Sequence, residues 1–556
     1  MRTLMQLARD AGGLLLLALA ASVASGFCNA SLIALINKTL TVEANALAAL
    51  GRTFIVLTLI MLITRVLSET VFMSLGQRAK ARLRNEVVAC IGDTDLQSVE
   101  SLGMSRAMSV LTQDLDIIVV FFVGLPNLVM YGAVIVGCLC YLGMLSWPVL
   151  LCALVTIALG SLGFWLIHGR ALMLLRSSRR REDRLLQQFR ALFDGVKELK
   201  LNPVRRRRFI RGELAKNIEA VRVERTRGYV LYGMATSWGS FLFFAFIGGV
   251  LFLLGRYFPL SHPVVTGYAM VFLYMIIPIE GLLSALPNIA SARVALARIQ
   301  DVRRQLPAEP AQREAPAPAL QSLSLYGVTH HYRREQDNAS FLLGPLTLTL
   351  RPGELTFLIG GNGSGKTTLA KLLAGLYPPE EGVILLNGEP VGDGDWQRYR
   401  QCFSAVFSDF YLFDDVSGER PADDDRISAL LTALQLEHKV HVRRGRFSTT
   451  ALSQGQRKRL ALLLAWTEDR PFYLFDEWAA DQDPAFKAVF YRQILPDLKA
   501  RGKTVLVITH DDAYFPQADR LIKLDTGQIV ADIRQQGPLG ESTVPGAERV
   551  WTGTSR

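Results

Sequence analysis

Six apolar runs, each long enough to cross a bilayer, dominate the first 300 residues. They cover roughly 12–36, 53–76, 118–144, 147–169, 228–255 and 264–289. In hydrocarbon every backbone N–H and C=O needs an internal partner, so uncharged runs of about 20 residues can only be helices or barrel strands, and runs this long are helices. The first begins GGLLLLALAASVASG after Arg2 and Arg9, which is also how a signal peptide begins. Its apolar character continues through SLIALI and further spans follow, so it reads as the first transmembrane helix.

Basic residues orient the spans. Arg78, Lys80, Arg82 and Arg84 lie between spans two and three. Arg170, Arg176, Arg179 to Arg181 and RRRR at 205–208 lie between four and five. The other connections are nearly bare, with Leu145-Ser146-Trp147 in one and Arg256 and His262 in another. The excess of Lys and Arg marks the cytoplasmic side, so both termini and everything after the last span are expected in the cytoplasm. The net charge of +11 is then a cytoplasmic membrane rim, and no nucleic-acid partner is expected. Residues 77–117 and 170–227 are polar and show helical spacing, as in DRLLQQFRALFDGVKELKL, so helices should continue as stalks below the bilayer, with a break at Pro203. Cys28, Cys90, Cys138, Cys140, Cys152 and Cys402 show no metal-ligand or CxxC spacing and read as small buried thiols.

After a Pro- and Ala-rich linker at 301–322 the chain changes character. LTFLIGGNGSGKTTLAKLLAGL sets an apolar strand, a glycine loop and a helix in sequence. Gly360, Gly361, Asn362, Gly363, Ser364, Gly365, Lys366, Thr367 and Thr368 fit a P-loop, in which backbone N–H groups and a helix N-terminus cradle phosphates. Lys366 would reach the β- and γ-phosphates and the Thr367 hydroxyl would ligate Mg²⁺. The strand in PFYLFDEW ends on Asp476, suited to hold Mg²⁺, and Glu477, suited to orient and polarise an attacking water. ATP and Mg²⁺ are the expected cofactors.

Leu452-Ser453-Gln454-Gly455-Gln456 narrows the class, because LSQGQ resembles the LSGGQ signature of ATP-binding cassette (ABC) proteins, with Gln454 in place of a glycine. The resemblance implies that Ser453 and the Gly455 N–H cap the γ-phosphate held by a second subunit, with Gln454 tolerated unless its position demands a positive φ. It also implies that Tyr332 stacks on adenine, that His510 in VLVITHDD contacts the γ-phosphate, and that Asp483 couples two sites across a dimer. One departure stands out. In FSAVFSDFYLF the family's glutamine is replaced by Ser408, followed by Asp409, which leaves metal sensing to either of them through water.

The fold class so implied is a membrane all-α exporter domain of six helices with long cytoplasmic stalks, fused to a cytoplasmic α/β P-loop ATP-binding cassette domain. Its expected limits are 1–300 for the transmembrane domain, 301–322 for the linker, 323–534 for the cassette and 535–556 for a C-terminal tail. LSQGQRKRLALLLAW, PFYLFDEWAADQDPAFK, Ser408-Asp409 and GVKELKLN (195–202) further resemble the bacterial cyclic-peptide exporters, including the pyoverdine-type siderophore exporters. That resemblance implies a homodimer in the bacterial inner membrane that exports a cyclic or non-ribosomal peptide or a siderophore precursor, with residues 195–202 as a coupling helix. A periplasmic acceptor of the cargo is left open, and a multidrug or lipid exporter is the alternative. Within the spans, Asn29, Arg65, Glu69 and Glu280 are expected to line a cavity for polar, charged cargo, with Pro278 and Pro287 opening the helix around Glu280. The rival expectation is that Arg65 is locked to Glu69 or Glu280 as an internal brace.

Overall fold

The computed structural model describes residues 12–40, 47–254, 261–309, 318–333, 340–392, 394–416 and 424–535. The tail beyond residue 535 and the middle of the linker therefore lie outside the described residues. The chain divides into two units. One comprises the chain up to Val87 with Met108–Asp301, and the other Val88–Ala107 with the chain from Val302 on.

Among the described residues six helices are long and apolar enough to cross a membrane, with most of their length in the first unit: α1 (Gly12–Thr39), α2 (Leu47–Gly92), α4 (Met104–Leu145), α5 (Trp147–Asp194), α7 (Pro203–Leu253) and α8 (His262–Gln305). The short helices α3 (Leu96–Leu102) and α6 (Val196–Leu201) lie between them. The 46 residues of α2 span about 70 Å at about 1.5 Å each, more than twice a hydrocarbon core of about 30 Å, so the stalks are direct continuations of the spans. Where water is absent, helices associate through close packing of small residues. A methyl group on Gly26 would fall 2.7 Å from the Met130 carbonyl oxygen, and one on Gly137 2.7 Å from Ala30 Cβ, so α1 and α4 meet nearly backbone to backbone. Large apolar residues such as Ile55 and Ile63 of α2 point outward, as a lipid-facing helix requires.

Pro203 produces the expected break: Asn202 caps α7 by accepting from the Arg205 N–H at 3.0 Å, and Pro203 takes the first turn. Pro278 and Pro287 do not open α8, which runs unbroken past both. A proline removes one hydrogen bond, and neighbouring helices hold the rest of the helix in place. The cysteines are all free, but only Cys138 and Cys402 are buried; Cys140 and Cys152 are exposed on outward faces.

The second unit is built on a six-stranded sheet in the order β12-β11-β3-β10-β9-β6. Its strands are β3 (Leu355–Ile359), β6 (Phe403–Val406), β9 (Phe472–Asp476), β10 (Thr504–Ile508), β11 (Arg520–Asp525) and β12 (Gln528–Arg534). All neighbours are parallel except β11 and β12. An antiparallel sheet joins β1 (Leu323–Arg333), β2 (Ser340–Leu350), β4 (Glu381–Leu386) and β5 (Glu389–Pro390) in the order β2-β1-β4-β5. A short hairpin of β7 (Val442–Arg443) and β8 (Arg446–Phe447) completes the strands.

Alternation along the central strands builds two cores. Phe357, Tyr473, Phe475, Val505 and Val507 face one, and Leu358, Phe472, Leu474, Leu506 and Ile508 the other. Strands buried on both faces read as continuous apolar runs, which is how LTFLI, FYLF and TVLVI read.

Residues 88–107 group with this unit, although the sequence places them between two spans. Asp95 caps α3 through the Ser98 N–H at 2.8 Å, and the Glu309 N–H donates to the Asp93 carbonyl at 2.7 Å.

Candidate nucleotide site

The carboxyl ends of β3, β10, β9 and β6 lie side by side, the edge at which open α/β sheets bind ligands. The P-loop, Ser408, Asp476, Glu477 and His510 each end or follow one of these strands, whereas Ser453 and Gly455 stand at the start of a helix elsewhere in the unit. After β3 the chain turns through Gly360, Gly363 and Gly365, all with positive φ, into α9 (Lys366–Leu373). At Gly360 a Cβ would meet the Leu524 carbonyl oxygen at 2.2 Å, so the close approach there demands glycine. The Lys366 ammonium donates to the Gly360 and Gly361 carbonyls at 2.9 Å each, curling the loop around itself. Burial holds Lys366 below the ordinary lysine range, while the charges of Glu477 and Asp476 pull it back up.

At the end of β9, Asp476 is almost fully buried. Its Oδ2 accepts from the Thr367 hydroxyl at 3.0 Å and the Ser408 hydroxyl at 3.3 Å. Its Oδ1 is buried with no hydrogen-bond partner among the described residues. Burial, helped by the Glu477 charge, raises this carboxyl above its usual range. A buried carboxylate with an unused oxygen beside a threonine hydroxyl fits a small hard cation such as Mg²⁺. Ser408 therefore reaches the Asp476 carboxylate itself. Asp409 is exposed, and its charge acts on Tyr377 instead.

Glu477 sits in left-handed backbone, φ 49° and ψ 34°, uncommon for a residue with a side chain and worth about 1–2 kcal/mol of strain. Its N–H donates to the Ile508 carbonyl at 3.0 Å, tying it to β10. Its carboxylate lies 3.5 Å from His510 Nε2, and both side chains are open to solvent. Tyr332 stands exposed near the end of β1.

The signature begins α10 (Gln454–Glu468). Ser453 caps it and exchanges bonds with Gln456, the Gln456 N–H donating to Ser453 Oγ at 3.4 Å and the Ser453 N–H to Gln456 Oε1 at 3.3 Å. Gln454 takes the first helical position with ordinary right-handed backbone, which answers why a glycine is dispensable there. Gly455 is not dispensable, because a Cβ would fall 2.7 Å from the Asp481 carbonyl oxygen. Asp483 caps α11 (Pro484–Val489) from the Phe486 N–H at 2.9 Å and pairs with Arg459 at 2.7 Å. The Phe486 N–H, aided by Arg459, holds its carboxyl below the usual range.

Sequence reasoning missed a contact set around α3. Glu100 accepts from Lys371 Nζ at 2.9 Å and from the Tyr377 hydroxyl at 2.5 Å, and Tyr377 stacks on buried His330 at 4.9 Å. Lys371 lies in the last turn of the helix that follows the P-loop, and His330 lies two residues before Tyr332 on β1, so Glu100 is linked through Lys371 and Tyr377 to the elements that carry these residues. No motif marks Glu100; only its docking reveals it. We expect Glu100→Gln to keep basal ATP turnover while slowing its response to cargo by several-fold, with faster hydrogen exchange over 93–103. Unchanged exchange there would show that the contact holds nothing in place.

In the membrane unit, Arg65 Nε donates to Glu69 Oε1 at 3.0 Å. Both border a small polar pocket with Ser22, Ser25, Ser68 and Asn127. Asn29 accepts from the Tyr274 hydroxyl at 3.0 Å. Glu280 accepts from Ser240 at 3.3 Å and lines a different, mostly apolar pocket, with Phe164, Phe243 and Ile279 beside Ser161 and Thr236.

Comparison with known proteins agrees with this geometry. Residues 343–480 match the ABC transporter family model and residues 11–201 the ABC transporter transmembrane region. The ATP-binding protein SyrD of Pseudomonas syringae pv. syringae is 38% identical over 475 residues, 83% of this chain and 84% of that one. Two partial matches carry different names. The mycobactin import ATP-binding/permease protein IrtB of Mycolicibacterium thermoresistibile is 30% identical over 55% of this chain and 53% of its own. The ATP-dependent lipid A-core flippase of Alkalilimnicola ehrlichii is 31% identical over 43% of each. In fold, the chain is similar to a bacterial Atm1-family ABC exporter with ATP bound, with a TM-score of 0.72, 18% identity and 95% of both chains covered.

Proposed function

The chain belongs to the ABC transporter family and combines a six-helix membrane region with an ATP-hydrolysing cassette; from that premise we propose that it exports a charged, peptide-like cargo. The cargo class is a cyclic or non-ribosomal peptide or a siderophore precursor, leaving the bacterial cytoplasm through a homodimer in the inner membrane. That ATP drives transport in an exporter architecture follows from the family and the fold. A charged cargo is supported by Arg65, Glu69, Asn29 and Glu280 lying within the spans, where a charge facing lipid is costly, and the peptide class is supported by the likeness to the cyclic-peptide exporters.

The chemistry follows from the side chains. A bound Mg²⁺ would supply positive charge to the phosphoryl group being transferred; Asp476 and Thr367 are the residues that would hold it, with Ser408 acting through water. Lys366 adds charge to the same phosphates, and Tyr332 offers its ring to adenine. Glu477 Oε1 orients a water and takes its proton, with His510 beside it for the γ-phosphate. Ser453 and the Gly455 N–H lie at an open helix N-terminus, suited to close on a partner's γ-phosphate. One protomer thus supplies half of each site. Helix α6, with Leu201 85% exposed at its end, is suited to press on a nucleotide domain as a coupling helix.

The test is ATPase activity in nanodiscs, titrated with a linear peptide siderophore precursor, a cyclic lipopeptide and a hydrophobic dye. Saturable stimulation by one peptide class supports the reading, and stimulation by the dye alone turns it toward a multidrug or lipid exporter. For Glu280→Ala we expect normal assembly and basal turnover with at least tenfold lower cargo stimulation. Failure to assemble would instead make Glu280 a structural brace.

A further inference from the structure

Three consecutive cations, Arg457, Lys458 and Arg459, open the signature helix, and the middle one is buried. The Lys458 side chain is 3% exposed. Its ammonium donates to the Glu477 carbonyl oxygen at 2.8 Å and pairs with Asp481 Oδ2 at 2.7 Å. The link runs both ways, since the Trp478 indole N–H donates to the Lys458 carbonyl at 2.9 Å. The same carboxylate of Asp481 accepts from Gln454 at 3.3 Å, and Gln482 donates to the Gly455 carbonyl at 2.9 Å. A charged group is buried only where its partners are fixed. Here those partners are the carbonyl of a residue in left-handed backbone and an acid four positions further on.

We propose that Lys458 is a positioning residue for hydrolysis: its buried ammonium, held by Asp481, pins the strained main chain of Glu477 to the signature helix. The inference rests on Glu477 acting on the water of its own site and on the signature serving the partner's ATP. The pin then has a consequence for the dimer. Movement of the helix end as it closes on one ATP is passed through Lys458 to the carboxylate working on the other. Hydrolysis at the two sites becomes linked through Lys458 in each cassette.

The experiment measures ATP turnover and binding of a fluorescent ATP analogue by the full-length protein in nanodiscs, for Lys458→Met, Lys458→Arg, Asp481→Asn and Glu477→Gln. Lys458→Met should lower kcat about tenfold to a hundredfold, as a misplaced catalytic group does, with KM for ATP within about twofold of the parent. Its Hill coefficient for ATP should fall toward one. Lys458→Arg, which keeps the charge and the donors, should recover part of kcat. Should Lys458→Met not fold, Asp481→Asn gives the same reading through the other end of the pair, with a smaller loss of kcat. A Lys458→Met enzyme with unchanged kcat, or one in which KM and kcat worsen together while Lys458→Arg recovers nothing, overturns the inference. If Glu477→Gln keeps full turnover, the underlying reading of Glu477 falls instead, which the Lys458 variants alone would not show.

Discussion

Glu477→Gln is expected to bind ATP as tightly as the parent and to hydrolyse it on the order of 10² to 10⁴ times more slowly, the range over which a positioned general base acts. Glutamine keeps the size of the side chain and its place beside His510, so the P-loop backbone is left in place, while Lys366 loses one of the two negative charges that favour its protonation. It removes the proton acceptor. With hydrolysis blocked, ATP should hold two protomers' cassettes together, visible as a long-lived nucleotide-bound species on rapid filtration. Turnover within a few-fold of the parent would move the catalytic role to His510 or to another acid.

The second large effect is a stabilisation. Asp476 is buried, one of its oxygens has no hydrogen-bond partner among the described residues, and its carboxyl titrates above its usual range. A raised folded-state pKa means that the folded protein binds this proton more tightly than the unfolded chain. The associated stability is complete below the unfolded value and is lost as pH rises through the folded one. At neutral pH, without nucleotide or divalent ion, the site therefore destabilises the cassette by about 1–3 kcal/mol. Asp476→Asn should melt a few degrees higher than the parent under those conditions, with the difference shrinking toward acid pH. Mg²⁺ with ATP should raise the parent's melting temperature by more than the variant's, which keeps the P-loop but loses the carboxylate, and the variant should not hydrolyse ATP. An Asp476→Asn protein that melts lower than the parent at neutral pH would contradict this electrostatic account.

What could be read from the sequence follows the range of each interaction. The six spans and the central strands were legible because hydropathy runs and doubly buried strands write their environment into every residue, as LTFLI and FYLF show. The P-loop, Asp476 and Glu477 were legible because phosphate chemistry fixes residue types at fixed offsets from a strand end. Gln454 was an open question until the backbone at the helix start answered it. Lys458 was hidden: among three cations in a row it reads as a solvated stretch, and only packing singles out the buried one. Glu100 was hidden for a different reason, because its partners Lys371 and Tyr377 lie some 270 residues away, beyond any local pattern. Polarity groups Asn29, Arg65, Glu69 and Glu280, because the sequence shows which spans carry polar residues but not which faces meet. The structure gives Arg65 to Glu69, Asn29 to Tyr274 and Glu280 to Ser240.

The reading as a peptide exporter is tested most directly by transport itself. The protein would be reconstituted into proteoliposomes, with cassettes facing outward, and supplied with labelled linear and cyclic peptides, a labelled lipid and a hydrophobic dye. ATP-dependent accumulation of a peptide inside the vesicles, absent with Glu477→Gln, is the expected result. Accumulation of lipid or dye with no peptide taken up would contradict the account and leave an ATP-driven transporter of apolar cargo.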